Sequence, residues 1–257
     1  MQPTPLFFAH ANGFPASCYR VLFQYLAPNP IRYIDVFGEH RAKPRSWKEI
    51  ADEIIEFLSD APEGPVVGVG HSFGGVGIFY AARKRPDLFS RIILLDPPFL
   101  EWRKRWLMVP FQLLGLASMV VPPSKRALKR TDWFENREEA RKYFSGKPFF
   151  QSFHPDALED YLTHGLAPSG DGLTLRISKE READYFASFP TIIGSTALKI
   201  PGNYVIPEGK VAIPVSSYAE NRKKFRHFTW HQLPGNHMFP LEHPRETATL
   251  IRDILNT

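Results

Sequence analysis

The chain has 257 residues, 43% of them hydrophobic and 23% charged. That balance excludes a disordered polar chain and suits one large domain or a domain with an insertion. The formal charge of +5 comes from scattered basic residues, densest at Arg103, Lys104 and Arg105, and with no nucleic-acid motif it reads as a solvated basic face.

In chain order, residues 6–9 form a short apolar run that predicts a buried strand almost at the start. A glycine-containing loop, His10 to Pro15, follows. Residues 17–26 are expected to be helical and 31–36 a strand. Ser46 and Glu49 have the spacing of a capping box. Beyond them Trp47, Ile50, Ala51, Ile54 and Leu58 fall on one face of a helix. A β-branched strand is predicted at 65–70, a helix at 73–85 and a strand at 92–96, stopped by Pro97 and Pro98. This alternation predicts a mostly parallel sheet with helices on both faces, an α/β fold.

From 99 to 190 the rhythm breaks. The text becomes helical, aromatic and basic, with one strand-like run at 173–177 after a turn at 169–172. Strand and helix then alternate again: a strand near 204–206, a helix near 216–225, a strand at 228–233, a loop at 234–237 and a final helix ending at Leu255. Residues 99–190 are therefore read as an insertion over a core made of 1–98 and 191–257. The most apolar window, 106–121, contains Pro110 and Gln112 and is short of a membrane span, so no stable membrane insertion is expected. It reads as a buried helix of the insertion. The competing reading is an interfacial segment touching lipid beside Arg103 to Arg105. The single cysteine, Cys18, excludes an intramolecular disulfide and fits a reducing, cytoplasmic setting. The N-terminal residues lack the pattern of a signal peptide.

The sharpest chemical signal is Gly70-His71-Ser72-Phe73-Gly74, a G-x-S-x-G motif with a strand before it and a helix after it. A serine on such a tight corner leaves no room for bulk two places away. Its hydroxyl is held over the strand ends, and the Phe73 amide faces the oxyanion that develops during attack. A dinucleotide loop beginning at Gly68 and Gly70 fails because its third glycine would be Phe73. No His-Glu-x-x-His and no cysteine pair is present, so neither a protein-built metal site nor a cofactor is expected.

At this point the sequence resembles the α/β-hydrolase family over essentially the whole chain. The resemblance implies an oxyanion loop at residues 8–15, with Phe14 as the second donor and Asn12 as the alternative. It places the general base in a loop near the C-terminus, where His237 stands in Pro234-Gly-Asn-His237. His231 falls inside a strand and His243 in the last helix, where structural roles are expected. The usual family position for the acid, after the strand near 203–207, holds Lys210 and Val211, with Glu208 nearby. Some relatives take the acid from the end of the strand after the elbow helix, which here is Asp96. The expected site is thus Ser72, His237 and Asp96 with Phe73 and Phe14 as oxyanion donors, and Asn12, His71 and Glu208 as further candidates. A serine at the elbow argues against epoxide hydrolases and haloalkane dehalogenases, which use Asp there.

The insertion resembles the family's cap, and its aromatic residues imply an apolar pocket. The implied activity is hydrolysis of a carboxylic ester, thioester or lactone of a small apolar acyl group through an acyl-enzyme. Carbon–carbon bond hydrolysis by the same residues and a non-catalytic ligand receptor are the alternatives. The oligomeric state stays open between monomer and homodimer.

Overall fold

The structure, a computed structural model, describes residues 3–39, 46–60, 64–190, 193–194 and 196–257. The expected core boundary at 191 falls outside these residues. The first part of the chain runs β1 (Leu6–Ala9), α1 (Arg20–Leu26), β2 (Ile31–Tyr33), α2 (Lys48–Ser59), β3 (Val66–His71), α3 (Phe73–Lys84) and β4 (Phe89–Leu95). The segment after β4 holds α4 (Trp102–Leu113), α5 (Ala117–Val120), α6 (Pro122–Leu128), β5 (Trp133–Phe134), α7 (Arg137–Ser145), α8 (Pro148–Gln151), α9 (Pro155–His164), β6 (Leu166–Ser169), β7 (Gly172–Leu175) and α10 (Lys179–Ala187). The sheet then resumes with β8 (Gly202–Pro207), α11 (Val215–Lys224), β9 (Thr229–Leu233), α12 (Phe239–Glu242) and α13 (Pro244–Leu255).

Six strands pair in the order β2-β1-β3-β4-β8-β9, every pair parallel. Successive side chains of a strand point to opposite faces, and here the two faces feed two cores. Leu6, Phe8, Val67, Val69, Ile93 and Leu95 join one with α1 and α13. Phe7, Ala9, Val66, Ile92 and Leu94 join the other with α2 and α3. Both faces are covered, which is why these strands read as continuous apolar runs. Each fully buried Ile or Leu contributes about 1.5–3 kcal/mol of transfer free energy.

The order also fixes where a ligand can sit. From β1 the chain steps outward to β2, then crosses back to β3 on the other side of β1. The loops leaving the carboxyl ends of β1 and β3 therefore diverge and open a crevice. Residues 10–15 and the serine corner lie at those ends.

Some boundaries differ from the sequence reading. The segment expected as helix 17–26 begins with a 3-10 turn at Ala16–Tyr19, and the strand expected over 31–36 ends at Tyr33. The Ser46 hydroxyl accepts from the Lys48 amide, one residue short of the capping-box partner. The run at 173–177 is the second strand of a hairpin, in a three-stranded antiparallel sheet β5-β7-β6. The largest departure concerns 106–121. It is not a buried helix: Trp106, Leu107, Leu113, Leu114, Leu116 and Met119 are all exposed. The inward arc of α4 is instead partly polar. Arg105 is buried and donates to the Leu100 carbonyl, and the Gln112 amide donates to the carbonyls of Ala187 and Phe189. Among the described residues, no helix is long and apolar enough to cross a membrane.

Candidate active site

Ser72 sits between β3 and α3 with φ of 54° and ψ of −121°. A non-glycine residue with positive φ costs on the order of 1–3 kcal/mol and persists only where its surroundings impose it. The surroundings here are backbone. The Ser72 amide donates to the Leu95 carbonyl at 2.8 Å, tying the corner to β4. A Cβ at Gly70 would lie 2.6 Å from the Gly74 carbonyl oxygen, and one at Gly74 would collide with the carbonyl of Ala9. The two glycines thus let strand, helix and β1 close on one another, and the serine side chain is pushed out over the sheet's edge.

His237 lies in the loop between β9 and α12. Its Nδ1 is 2.6 Å from Asp96 Oδ2 and its Nε2 is 2.9 Å from Ser72 Oγ. A carboxylate only accepts, so Nδ1 carries the proton and the Nε2 lone pair faces the serine hydroxyl. The loop is pinned from below by Glu242, which accepts from the Asn236 amide at 2.6 Å and from the Ser152 hydroxyl at 2.9 Å. Asp96 follows β4, is fully buried and has φ of 46°. Its amide donates to the Val205 carbonyl at 2.8 Å. Besides His237, its carboxylate accepts the Ala212 amide at 3.2 Å and the Tyr218 hydroxyl. Burial, and then the Asp96 charge, push the Tyr218 phenol far above its usual range, so it stays a donor. The loop that lacks an acid at Lys210 and Val211 therefore supplies an amide to Asp96 instead. Glu208 is exposed, with its amide bonded to the Leu233 carbonyl; the carboxylate brought to His237 is that of Asp96.

The loop after β1 is held by two neutral histidines. Phe37 donates its amide to His10 Nε2 at 3.2 Å, so Nδ1 carries the proton and donates to the Ala11 carbonyl at 2.8 Å. Burial lowers the pKa of His10 from its usual 6.5 to about 4. His71, expected only as a further candidate, makes a relay behind the site. The Ala11 amide donates to the Tyr19 hydroxyl, that hydroxyl lies 2.7 Å from His71 Nδ1, and His71 Nε2 lies 2.9 Å from the His237 carbonyl. The carbonyl fixes the proton on Nε2, so Nδ1 accepts from Tyr19. Burial first, then the nearby His237, hold the His71 pKa well below the usual range. The relay couples the loop at 10–14 to the loop carrying His237.

This loop geometry corrects one expectation. The Phe14 amide donates to the Ala11 carbonyl at 3.2 Å, so it is committed to the turn, and the Phe14 ring packs against Phe153 and Tyr161. The Asn12 amide is not so engaged among the described residues, while the Asn12 side chain donates to the Glu182 carbonyl at 2.9 Å. The Phe73 amide is the first of α3 and has no intrahelical acceptor. Asn12, Phe73, Ser72 and His237 all line one cavity of about 1070 Å³. Its walls are mostly apolar and aromatic, with Trp47, Phe149, Phe150, Phe186 and Phe189 among them. The residues from 99 to 190 supply most of this wall. They also place Glu182 against Gly13, paired with Arg130, which donates in turn to the Tyr161 hydroxyl at 2.8 Å. Burial raises Glu182 above the usual carboxylate range against the pull of Arg130. Among the described residues no group of His, Cys, Asp and Glu could hold a metal ion.

Tyr218, Tyr19, Glu242 and Glu182 carry no sequence signal: each acts through a partner distant in the chain. His71 was visible only as the residue beside the serine.

The alpha/beta hydrolase family model matches residues 6–250, and the chain belongs to that family. It is 33% identical over 113 residues to the lipase LipV of Mycobacterium tuberculosis, covering 43% of each chain. It is 29% identical over 122 residues to the type I acyl-CoA thioesterase mpaH of Penicillium brevicompactum, covering 46% of this chain and 26% of that one. The match thus spans less than half the length of these curated relatives. Among solved structures, E-2-(acetamidomethylene)succinate hydrolase superposes with a TM-score of 0.76 at 19% identity, over 99% of this chain and 92% of that chain. At that identity the likeness speaks for the fold alone.

Proposed function

We propose that this protein is a serine hydrolase that cleaves a carboxylic ester or thioester of an apolar acyl group through an acyl-enzyme. The observation that carries the reading is the continuous hydrogen-bond chain from Asp96 through His237 to Ser72 at the floor of an apolar cavity. Ser72 Oγ attacks the acyl carbon and forms the C–O bond while its proton passes to His237 Nε2. The carbonyl oxygen becomes an oxyanion, for which we assign the Asn12 and Phe73 amides as donors, since both residues line the cavity beside Ser72. Asp96 keeps the imidazole in the required tautomer and stabilises the imidazolium. Collapse breaks the bond to the leaving group, which takes the proton from Nε2. Water then enters, loses a proton to His237 and attacks the acyl carbon; collapse releases the acid and returns the proton to Ser72. Residues 99–190 act as the cap that closes the cavity and receives the acyl chain. The lipase and thioesterase among the relatives are consistent with acyl chemistry.

A fluorophosphonate probe tests the nucleophile: labelling of the wild type and none of Ser72→Ala is the expected result. A panel of p-nitrophenyl esters of rising chain length, beside one thioester and one lactone, tests the substrate. Hydrolysis surviving in folded Ser72→Ala, or a wild type silent to both probe and panel, would overturn the reading, and the second outcome would favour a ligand receptor.

A further inference from the structure

The face of the inserted segment around α4 is turned the wrong way for a soluble helix. Its outward arc carries Trp102, Trp106, Leu107, Leu113 and Leu114, with exposures of 58% at Trp106, 66% at Leu107 and 82% at Leu113. Trp102, Trp106 and Leu113 stand at i, i+4 and i+11, a single stripe, with Leu107 and Leu114 beside it. Leu116 at 42% and Met119 at 63% extend the patch through α5. Contiguous exposed apolar surface of this kind marks an interaction site.

Charge says what it meets. From Trp102 to Thr131 the sequence has seven Lys or Arg and no Asp or Glu. Arg105 and Arg130 are turned inward, but Arg103, Lys125, Arg126 and Lys129 are exposed. The Arg103 guanidinium sits 5.4 Å from the Trp102 ring centre. Two tryptophans, several leucines and a rim of cations on a stretch without a carboxylate are complementary to an anionic bilayer, where the rings lie at the headgroup level and the cations meet phosphates. The same segment also lines the cavity above Ser72, through Lys104, Leu107, Met108, Val121 and Arg126. The patch and the cavity mouth are therefore continuous.

We propose that α4 and α5 dock this protein on the surface of an anionic phospholipid bilayer, lying in the interface without spanning it, with the cavity mouth facing the lipid. The route by which an apolar acyl substrate reaches Ser72 is then from the membrane rather than from water; that corollary rests on the function proposed above, whereas the docking itself does not.

Co-sedimentation of the full chain with vesicles tests the docking directly. The wild type should partition onto phosphatidylcholine vesicles containing phosphatidylglycerol, with a blue shift of tryptophan emission. It should bind pure phosphatidylcholine much less, and salt should weaken the preference. The combined variant Trp106→Ser, Leu113→Ser and Leu114→Ser should partition at least ~10-fold less. Arg103→Gln with Lys125→Gln should lose about fivefold for each cation removed. None of these residues lines the cavity, so hydrolysis of a short soluble ester should stay within about twofold. Ser72→Ala should bind vesicles like the wild type, which separates failure of docking from failure of the catalytic reading. Equal binding by wild type and the triple variant, or no preference for the anionic lipid, would overturn the proposal. So would a wild-type dimer in sedimentation velocity that the triple variant abolishes, with no vesicle binding by either; the patch would then be an interface between two copies.

Discussion

Replacing Asp96 by Asn keeps the shape and removes the charge, and the surrounding donors decide how the amide settles. Among the described residues Oδ2 accepts both His237 Nδ1–H and the Ala212 amide, whereas Oδ1 accepts the Tyr218 hydroxyl. The Ala212 N–H cannot turn, but the Tyr218 hydroxyl can rotate and accept. An Asn side chain will therefore aim its oxygen at His237 and Ala212 and its NH2 at Tyr218. Asn also tolerates the left-handed backbone at this position, where φ is 46°. The imidazole tautomer should survive, and the loss should be that of one charge-assisted hydrogen bond, about 1.5–3 kcal/mol. That corresponds to a fall in turnover on the order of 10²-fold, rather than the ~10⁴-fold seen when an amide imposes the wrong tautomer in a serine triad. Adding Tyr218→Phe removes the group that orients the amide, so the double variant should approach ~10⁴-fold, while Tyr218→Phe alone should cost about tenfold. Turnover of a p-nitrophenyl ester by the four proteins, with circular dichroism for the fold and nitrogen-15 shifts of the His237 ring for the tautomer, reads the cycle. A fall near 10⁴-fold in Asp96→Asn alone, unchanged by Tyr218→Phe, would refute the orientation argument.

Glu208→Gln should leave turnover within about tenfold, because its exposed side chain is not the one bonded to His237; a loss by orders of magnitude would move the acid to the loop after β8. Gly13→Ala should cost about 1–2 kcal/mol of stability through its φ of 81° and should also lower turnover, since the new Cβ would lie 3.0 Å from the Glu182 carboxyl and shift the loop bearing Asn12; thermal melts and kinetics on one sample check both. Hydrolysis should improve with acyl length by about fourfold per methylene, or ~0.8 kcal/mol, until the cavity is filled; a specificity constant falling steadily from acetyl upward would contradict an apolar acyl site. Stability should be full above pH 6.5 and decline toward about pH 4. The unfolded state protonates its histidines near 6.5, whereas His10 in the fold titrates at about 4 and His71 well below its usual value, both through burial. For His10 alone this is about 3 kcal/mol. Glu182, raised by burial, opposes part of it. Denaturant midpoints should therefore drop across that window, and His71→Gln should flatten the slope; a stability independent of pH from 7 to 4 would refute this.

Local features were legible in the residues alone. Apolar runs at 6–9, 65–70 and 92–96 declared strands buried on both faces, because a parallel sheet under two helical layers has no wet side. Gly70 and Gly74 declared the corner, because backbone from β1 and α3 occupies the space a side chain would need. Asp96 was legible from its place after an apolar strand that ends beside the serine's own, and His237 from its loop before the last helix. Tertiary structure decided the rest, since it depends on partners far apart in the chain. The turn in which the Phe14 amide bonds the Ala11 carbonyl was not readable from the residues, and it is what favours Asn12 over Phe14 as the proposed oxyanion donor. That Asp96 is met by Tyr218 and Ala212, and that His71 ties Tyr19 to the His237 loop, comes from contacts across 52 to 166 residues. The window at 106–121 shows the limit most plainly. Its hydropathy predicts burial, but which face turns inward depends on what waits there, and the carbonyls of Leu100, Ala187 and Phe189 take Arg105 and Gln112. Those carbonyls need donors, and leaving a buried polar group without a partner costs about 1–3 kcal/mol, so the helix turns Arg105 and Gln112 in and its tryptophans and leucines out.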